Sequence, residues 1–339
     1  MVEAMHELAY SLHVRATTSM SDAIQQAVAV LRAGGLVAFP SETVYGLGAD
    51  AMNPAAVARI FTLKGRPATH PLIVHIASVA ALDQWALEIP DAARRVAEAF
   101  WPGPLTMILK RQAHVLDAVT GGQDSVGLRM PAHPLALALL MEFGGAIAAP
   151  SANRYGHVSA TTAEHVREEF GMAVDYILEG GACRVGIEST IVSFLGDEPV
   201  ILRPGVITSS MLAEVLGRPV LSPEVNQSLP RAPGSDVAHY APKTPASCVT
   251  AERLAQILAQ QSSASEIAYL HHSELTPAQS EQLITRRMPM QADAYAQQLY
   301  AALRWADTLG VARLLIEMPP TGEAWLAVQD RLTRATQCV

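Results

Sequence analysis

The sequence predicts an α/β fold in two parts, a mixed sheet carrying packed helices and then a smaller α/β domain. Three observations predict it. The chain has 339 residues, more than one hydrophobic core usually organises. Short apolar runs of strand character alternate with stretches of helical spacing, as in a layered α/β protein. Several strand runs are joined by connections too short for a helical crossover, so the sheet is mixed and not purely parallel.

In chain order, Ser19 and Ser21 offer helix caps, and Ile24, Ala27, Val28 and Leu31 share one helical face until Gly34 and Gly35 stop it. Residues 36–39 read as a buried strand, about 54–63 as a second helix and 71–75 as the next strand. Further strands are expected at 105–109, 125–130, 146–148, 175–178, 189–194 and 199–202. Residues 217–245 repeat prolines without a sustained period and read as a long ordered linker or lid. Beyond it, strands at 247–249, 267–270 and 313–316 alternate with helices at 251–260 and 292–309. The expected division is 1–216, 217–245 and 246–339.

Composition narrows the function classes. The chain is 50% hydrophobic and 17% charged, which describes a compact globular protein. No charge-free apolar run reaches the roughly 20 residues of a spanning helix, and residues 1–20 lack the apolar core of a secretory signal. Cys183, Cys248 and Cys338 lie far apart and form no CxxC pair, so a reduced cytoplasmic setting is expected. A net charge of −8 opposes broad attraction to nucleic acid, so any anion site must be local.

No G-x-S-x-G elbow, HExxH or phosphate-binding P-loop is present. Polar clusters stand instead at the ends of apolar runs, where α/β proteins place ligands. They are PSETVYGLG at 40–48, KGRP at 64–67, GLRMP at 127–131, APSAN at 149–153, GIEST at 186–190 and LRPG at 202–205. Lys64, Arg66, Arg129 and Arg203 have no acid within three positions in sequence. Each alone reads equally as a salt-bridged strand-end residue; together they make a pocket for a polyanion such as a triphosphate. Thr43, Ser151, Asn153 and Ser189 can fix a small polar substrate, although each alone is a common turn or cap residue. His75 closes an apolar strand, the 101–104 turn reads as structural, and His271 and His272 read as surface.

In unbroken order over about 21–242, FPSETVYGLGADA, KGRPATHPLIVHI, WPGPLT, VGLRMPAHP, AAPSAN, GIESTIV, ILRPG and APGSDVAHYAPK resemble the Sua5 family of threonylcarbamoyl-AMP synthases. This is the two-domain form of the YrdC-like proteins. The resemblance implies a YrdC-like twisted mixed sheet with a concave basic cleft, followed by a smaller Rossmann-like domain. It implies that L-threonine, bicarbonate and ATP with Mg2+ become threonylcarbamoyl-AMP and pyrophosphate, the product passing to a threonylcarbamoyl transferase that acts on tRNA. Thr43, His75, Arg129, Ala149 and Ser189 then match the threonine side. Lys64, Arg66, His70, Ser125, Ser151, Asn153, Ser159, Arg203, His239 and Tyr240 match the ATP side, with Lys64 and Arg66 as the catalytic pair. No metal ligand is assigned, although Glu42 is a candidate for Mg2+.

Three features depart from the family pattern. Ser41 and Ser125 stand where Thr is usual, His70 stands where Asn is usual, and the stretch before His239-Tyr240 lacks the usual basic and aromatic residues. Two other readings stay open from sequence alone: a non-catalytic RNA-binding module, and an adenylating or carbamoylating enzyme for another substrate. By the same resemblance the linker is expected to fold over the cleft. The first domain, with a core of its own, is expected to stay folded if the chain is cut near Leu216, yet to lose most synthesis or leak AMP.

Overall fold

The computed structural model describes residues 19–221, 230–234, 240–260, 267–274 and 284–336. His239, Cys338 and the first 18 residues lie outside them. Ten strands form the first sheet: β1 (Val37–Phe39), β2 (Gly46–Asp50), β3 (Ile73–His75), β4 (Ala86–Leu87), β5 (Leu105–Arg111), β6 (Ser125–Arg129), β7 (Ile147–Ala148), β8 (Tyr176–Ile177), β9 (Thr190–Ser193) and β10 (Val200–Arg203). Its order is β10-β9-β5-β6-β3-β7-β2-β1-β8, with β4 on β5, and it mixes parallel and antiparallel pairs. The mixed sheet is as expected, because short connections such as β1–β2 and β9–β10 allow only antiparallel neighbours.

Strand β2 was not expected. The glycines of 40–48 suggest a loop, yet Phe39 pairs with Gly46 and Val37 with Gly48 across a tight antiparallel turn. A Cβ on Gly48 would stand 2.7 Å from Ile147 and 2.8 Å from the Phe39 ring, so close packing and not looseness requires glycine there. The polar residues of the motif are thereby confined to the turn at 40–45.

Helix Pro54–Lys64 starts on Asn53, whose side chain accepts from the N–H groups of Ala55 and Ala56, and ends on left-handed Gly65. Lys64 is therefore the last residue of a helix and not of a strand, and Arg66 follows the cap directly. The buried Trp101 indole donates to the Leu105 carbonyl at 2.8 Å, which holds the 101–104 turn against the sheet.

The second sheet joins β11 (Ala246–Val249), β12 (Ile267–His271), β13 (Ile284–Arg287) and β14 (Arg313–Glu317), all parallel, in the order β11-β14-β12-β13. Helices Ala251–Gln260, Ala292–Thr308 and Leu326–Ala335 accompany it. Strand β13 and the last helix carry weak apolar patterns and were not anticipated. His271 is buried, with its Nδ1 2.9 Å from the Ser273 carbonyl, and so is not a surface residue.

The cores of the two sheets meet. Val44, Val158 and Ile187 pack in one cluster with Tyr240, Tyr295, Leu299 and Tyr300. Gly186 lies against the backbone of helix Ala292–Thr308, where a Cβ would come within 2.4 Å of the Gln297 Cα. No described helix is long and apolar enough to cross a membrane.

Candidate active site

A cavity of about 50 Å³ lies between strand ends of the first sheet and the segment leading to the second. Thr43 comes from the β1–β2 turn, His75 from the end of β3, Arg129 from the end of β6, Ala149 from just beyond β7 and Ser189 from just before β9; all line it. Arg66, Ser151 and Arg203 enter the same wall, and Pro233, Gly234 and Tyr240 cover it. A cavity of this size accepts a few water-sized groups, the scale of a small amino acid and far below a nucleoside triphosphate.

Each polar group here has a defined setting. The Arg129 guanidinium donates to Glu42 at 2.7 Å and, through Nε, to the Gly103 carbonyl at 3.3 Å. Burial works to raise the Glu42 carboxyl, but the charge and hydrogen bond of Arg129 outweigh it and hold the group below its usual range. His75 is pressed down to about 3 by burial and then by the Arg129 charge, so it is a neutral imidazole. Its buried Nδ1 has no partner among the described residues and is ready for a substrate donor or acceptor. The Thr43 hydroxyl lies 2.8 Å from that of Ser41, and the Ser189 hydroxyl 2.8 Å from that of Thr106.

The four cations are all buried, which corrects the expectation of strand-end cations open to a polyanion. Lys64 Nζ donates to the Ser151 carbonyl at 2.6 Å and to the Asn153 carbonyl, and burial carries its pKa well below the ordinary lysine value. Arg203 donates to the Ser189 carbonyl at 3.0 and 3.1 Å and to the Pro233 carbonyl at 2.9 Å. In this arrangement Arg203 ties the covering segment to the Ser189 wall, and Lys64 fixes the backbone at 151–153.

Other expected ATP-side residues do not line it. Asn153 is buried behind Ser151, with its Oδ1 unpartnered among the described residues. Ser159 donates to Glu188 at 2.6 Å, Ser125 lines a separate open depression with Lys110 and Gln123, and the His70 ring meets Tyr155 edge-on. Tyr240 lies over the cavity with its ring stacked on Tyr300 at 5.7 Å. A Cβ on Gly234, which has φ +77, would stand 2.1 Å from the Tyr240 hydroxyl, so only glycine lets the segment fold this closely.

Sequence reasoning gave no role to Glu188. It lines the cavity and accepts from Ser159, from the Tyr300 hydroxyl at 2.8 Å and from Arg331 at 2.8 Å. Burial opposes ionisation, yet Arg331, Arg203 and Ser159 hold its carboxyl down to about 2. An acid inside a buried motif such as GIEST demands a cation; that signal existed, but nothing in the sequence pointed to Arg331. The nearby Cys183 thiol, pushed up by burial to about 12, is no nucleophile.

Residues 29–205 match the Sua5/YciO/YrdC family described as telomere recombination, and residues 207–337 match the C-terminal domain of threonylcarbamoyl-AMP synthase. The chain belongs to the threonylcarbamoyl-AMP synthase family. It is 39% identical to the threonylcarbamoyl-AMP synthase of Pyrococcus abyssi, covering 92% of this chain and 94% of that one. It is 41% identical to the enzyme of that name from Bacillus subtilis, covering 92% of each chain. The crystal structure of Pyrococcus abyssi Sua5 complexed with L-threonine superposes with a TM-score of 0.84 at 37% identity, over 93% of this chain and 96% of that one.

Proposed function

We propose that this family member makes threonylcarbamoyl-AMP as a nucleotidyltransferase, supplying a transferase that modifies tRNA. One observation carries the reading: the five threonine-side residues converge on one cavity of amino-acid size whose wall also holds Arg66, Ser151 and Arg203. The threonine amine takes up bicarbonate with loss of water to give a carbamate. A carbamate oxygen attacks the α-phosphorus of ATP, and the bond to pyrophosphate breaks. Arg129, which can offer a fork to the threonine carboxylate, and the neutral His75 hold the amino acid; Arg66, Lys64 and Arg203 serve the phosphates once ATP is bound. No side-chain nucleophile is required.

Magnesium belongs to this reaction as the chelate of ATP, and so as substrate. Both carboxylates that approach the cavity are committed, Glu42 to Arg129 and the Ala132 N–H, Glu188 to Arg331, Tyr300 and Ser159. Among the described residues no group of three His, Cys, Asp or Glu could hold an ion by itself. In this arrangement the Glu42 carboxylate is bonded to Arg129 and to the Ala132 N–H.

The segment around Tyr240 acts in this reading as a lid that keeps water from a labile product. The test is incubation with ATP, bicarbonate and threonine, serine or valine, followed by mass analysis of the nucleotide. Threonylcarbamoyl-AMP with threonine, less product with serine and almost none with valine is expected, because valine leaves the buried hydroxyl-binding groups unpaired. Equal product from threonine and valine would remove the assignment.

A further inference from the structure

Arg331 belongs to the last helix of the second domain, yet it is 0% exposed and reaches two segments of the first domain and the covering segment at Tyr240. Its Nε donates to the Glu188 carboxylate at 2.8 Å, and one Nη reaches the Glu188 carbonyl at 3.4 Å. The other Nη donates to the Pro204 carbonyl at 3.0 Å, next to Arg203 in sequence, and to Asp330 at 2.6 Å. Its guanidinium carbon stands 5.4 Å from the centre of the Tyr240 ring. Glu188, Arg203 and Tyr240 all line the cavity. One rigid, planar cation thus sets the spacing of three walls, and a lysine cannot reproduce the fork.

We propose that Arg331 is a positioning residue for the threonine-binding cavity, holding Ser189 through Glu188 and the covering segment through Tyr240. The claim rests on the function proposed above. It makes the second domain part of the site, because the Glu188 side chain has no cationic hydrogen-bond partner other than Arg331 among the described residues. A residue of purely structural value would change the amount of folded enzyme and leave the threonine KM alone.

The experiment uses the full chain and measures threonine-dependent pyrophosphate release for wild type, Arg331→Lys, Arg331→Met and Tyr300→Phe. The Tyr300→Phe variant removes one hydroxyl donor to Glu188 and keeps the ring on Tyr240, so it supplies a reading even where Arg331→Met does not fold. The threonine KM should rise about tenfold or more in Arg331→Met and by smaller factors in Arg331→Lys and Tyr300→Phe, as expected for charge-assisted bonds lost from a binding wall. A threonine KM within about twofold of wild type in every variant that folds, with any loss confined to kcat, overturns the proposal. A wild-type protein that makes no threonylcarbamoyl-AMP overturns the proposed function instead.

Discussion

Two buried ion pairs flank the same cavity and differ in where the cation comes from. Glu42 precedes Thr43 and is answered from within the first domain by Arg129, 87 residues on. Glu188 precedes Ser189 and is answered by Arg331 of the second domain, 143 residues on, with Tyr300 beside it. The first pair can form as soon as the large sheet folds. The second exists only when both domains are docked, so one wall of the cavity is intrinsic and the other is contributed.

Truncation after Leu216 tests that difference most severely. It removes Tyr240, Tyr300 and Arg331 together and leaves Glu188 without its hydrogen-bonded cation, while Val44, Val158 and Ile187 lose the apolar cluster that covers them. The first sheet has its own core, so the piece retains α/β secondary structure by circular dichroism. Its synthesis should fall at least about a hundredfold, the scale of an orphaned buried charge. Product formation within tenfold of the full chain, a loose bound on that scale, would mean that the contributed wall is dispensable.

The intrinsic pair gives the next largest effect. Arg129→Met leaves Glu42 buried and unpaired and should cost roughly 3–5 kcal/mol of stability, seen in denaturant unfolding. Adding Glu42→Gln should recover much of that stability but no synthesis, because the fork for the threonine carboxylate stays lost. Recovered synthesis would show that Arg129 serves the fold alone.

Acid separates the two walls. The Glu188 carboxyl sits near 2 when folded against an ordinary 4.5, so the unfolded chain binds the proton first. Its contribution is present above pH 4.5, declines below it and is lost as pH falls through about 2. It is on the order of 3 kcal/mol at most. His75 adds to the same trend: with a folded value near 3 against 6.5, it makes stability fall as pH drops from 6.5 towards 3. Glu188→Gln should flatten the melting-temperature profile below pH 4.5 while leaving the His75 portion between pH 4.5 and 6.5. An unchanged profile would mean that the interdomain pair does not hold its charge.

Lys64→Ala and Arg203→Ala sharpen the nucleotide side. Each removes a buried cation that bonds carbonyls in this structure and, in the proposed function, serves phosphate once ATP is bound. Each should cost roughly 1.5–3 kcal/mol in kcat/KM for ATP, together with some stability because both are buried. Wild-type pyrophosphate release at limiting ATP in both variants would remove the anion role.

The legibility of the site follows the same divide. Thr43, His75, Arg129, Ala149 and Ser189 come together as one set through the family resemblance; from the residues alone Arg129 groups with the other cations and His75 reads as a strand-end structural histidine, and it is the fold that brings all five to one cavity. The second domain showed its parallel strands through runs such as Ala268–Leu270, buried on both faces. Strand β2 was hidden because Gly46 and Gly48 carry no side chains to reveal a period. Arg331 was hidden for a deeper reason. It lies on a helix face of mixed charge, and only docking buries it, so no local pattern separates it from the exposed Arg313.

The smallest expected effect concerns His70, which replaces the family's usual Asn. The side chain does not reach the cavity; its ring meets Tyr155 at 5.6 Å, and the Arg66 guanidinium carbon stands 6.0 Å from the same Tyr155 ring. His70 therefore acts on Arg66 at one remove, through an aromatic that lies on the first domain's side of the divide. His70→Asn trades a ring contact worth about 0.5–1.5 kcal/mol for a smaller polar group. The ATP KM should change by less than about threefold, since Arg66 keeps its bond to the Pro71 carbonyl at 3.1 Å. Stability should fall within that ring-contact range, and the threonine KM should not move. A tenfold rise in the ATP KM would place His70 against the nucleotide itself, an arrangement that requires the loop at 66–70 to swing when the site opens.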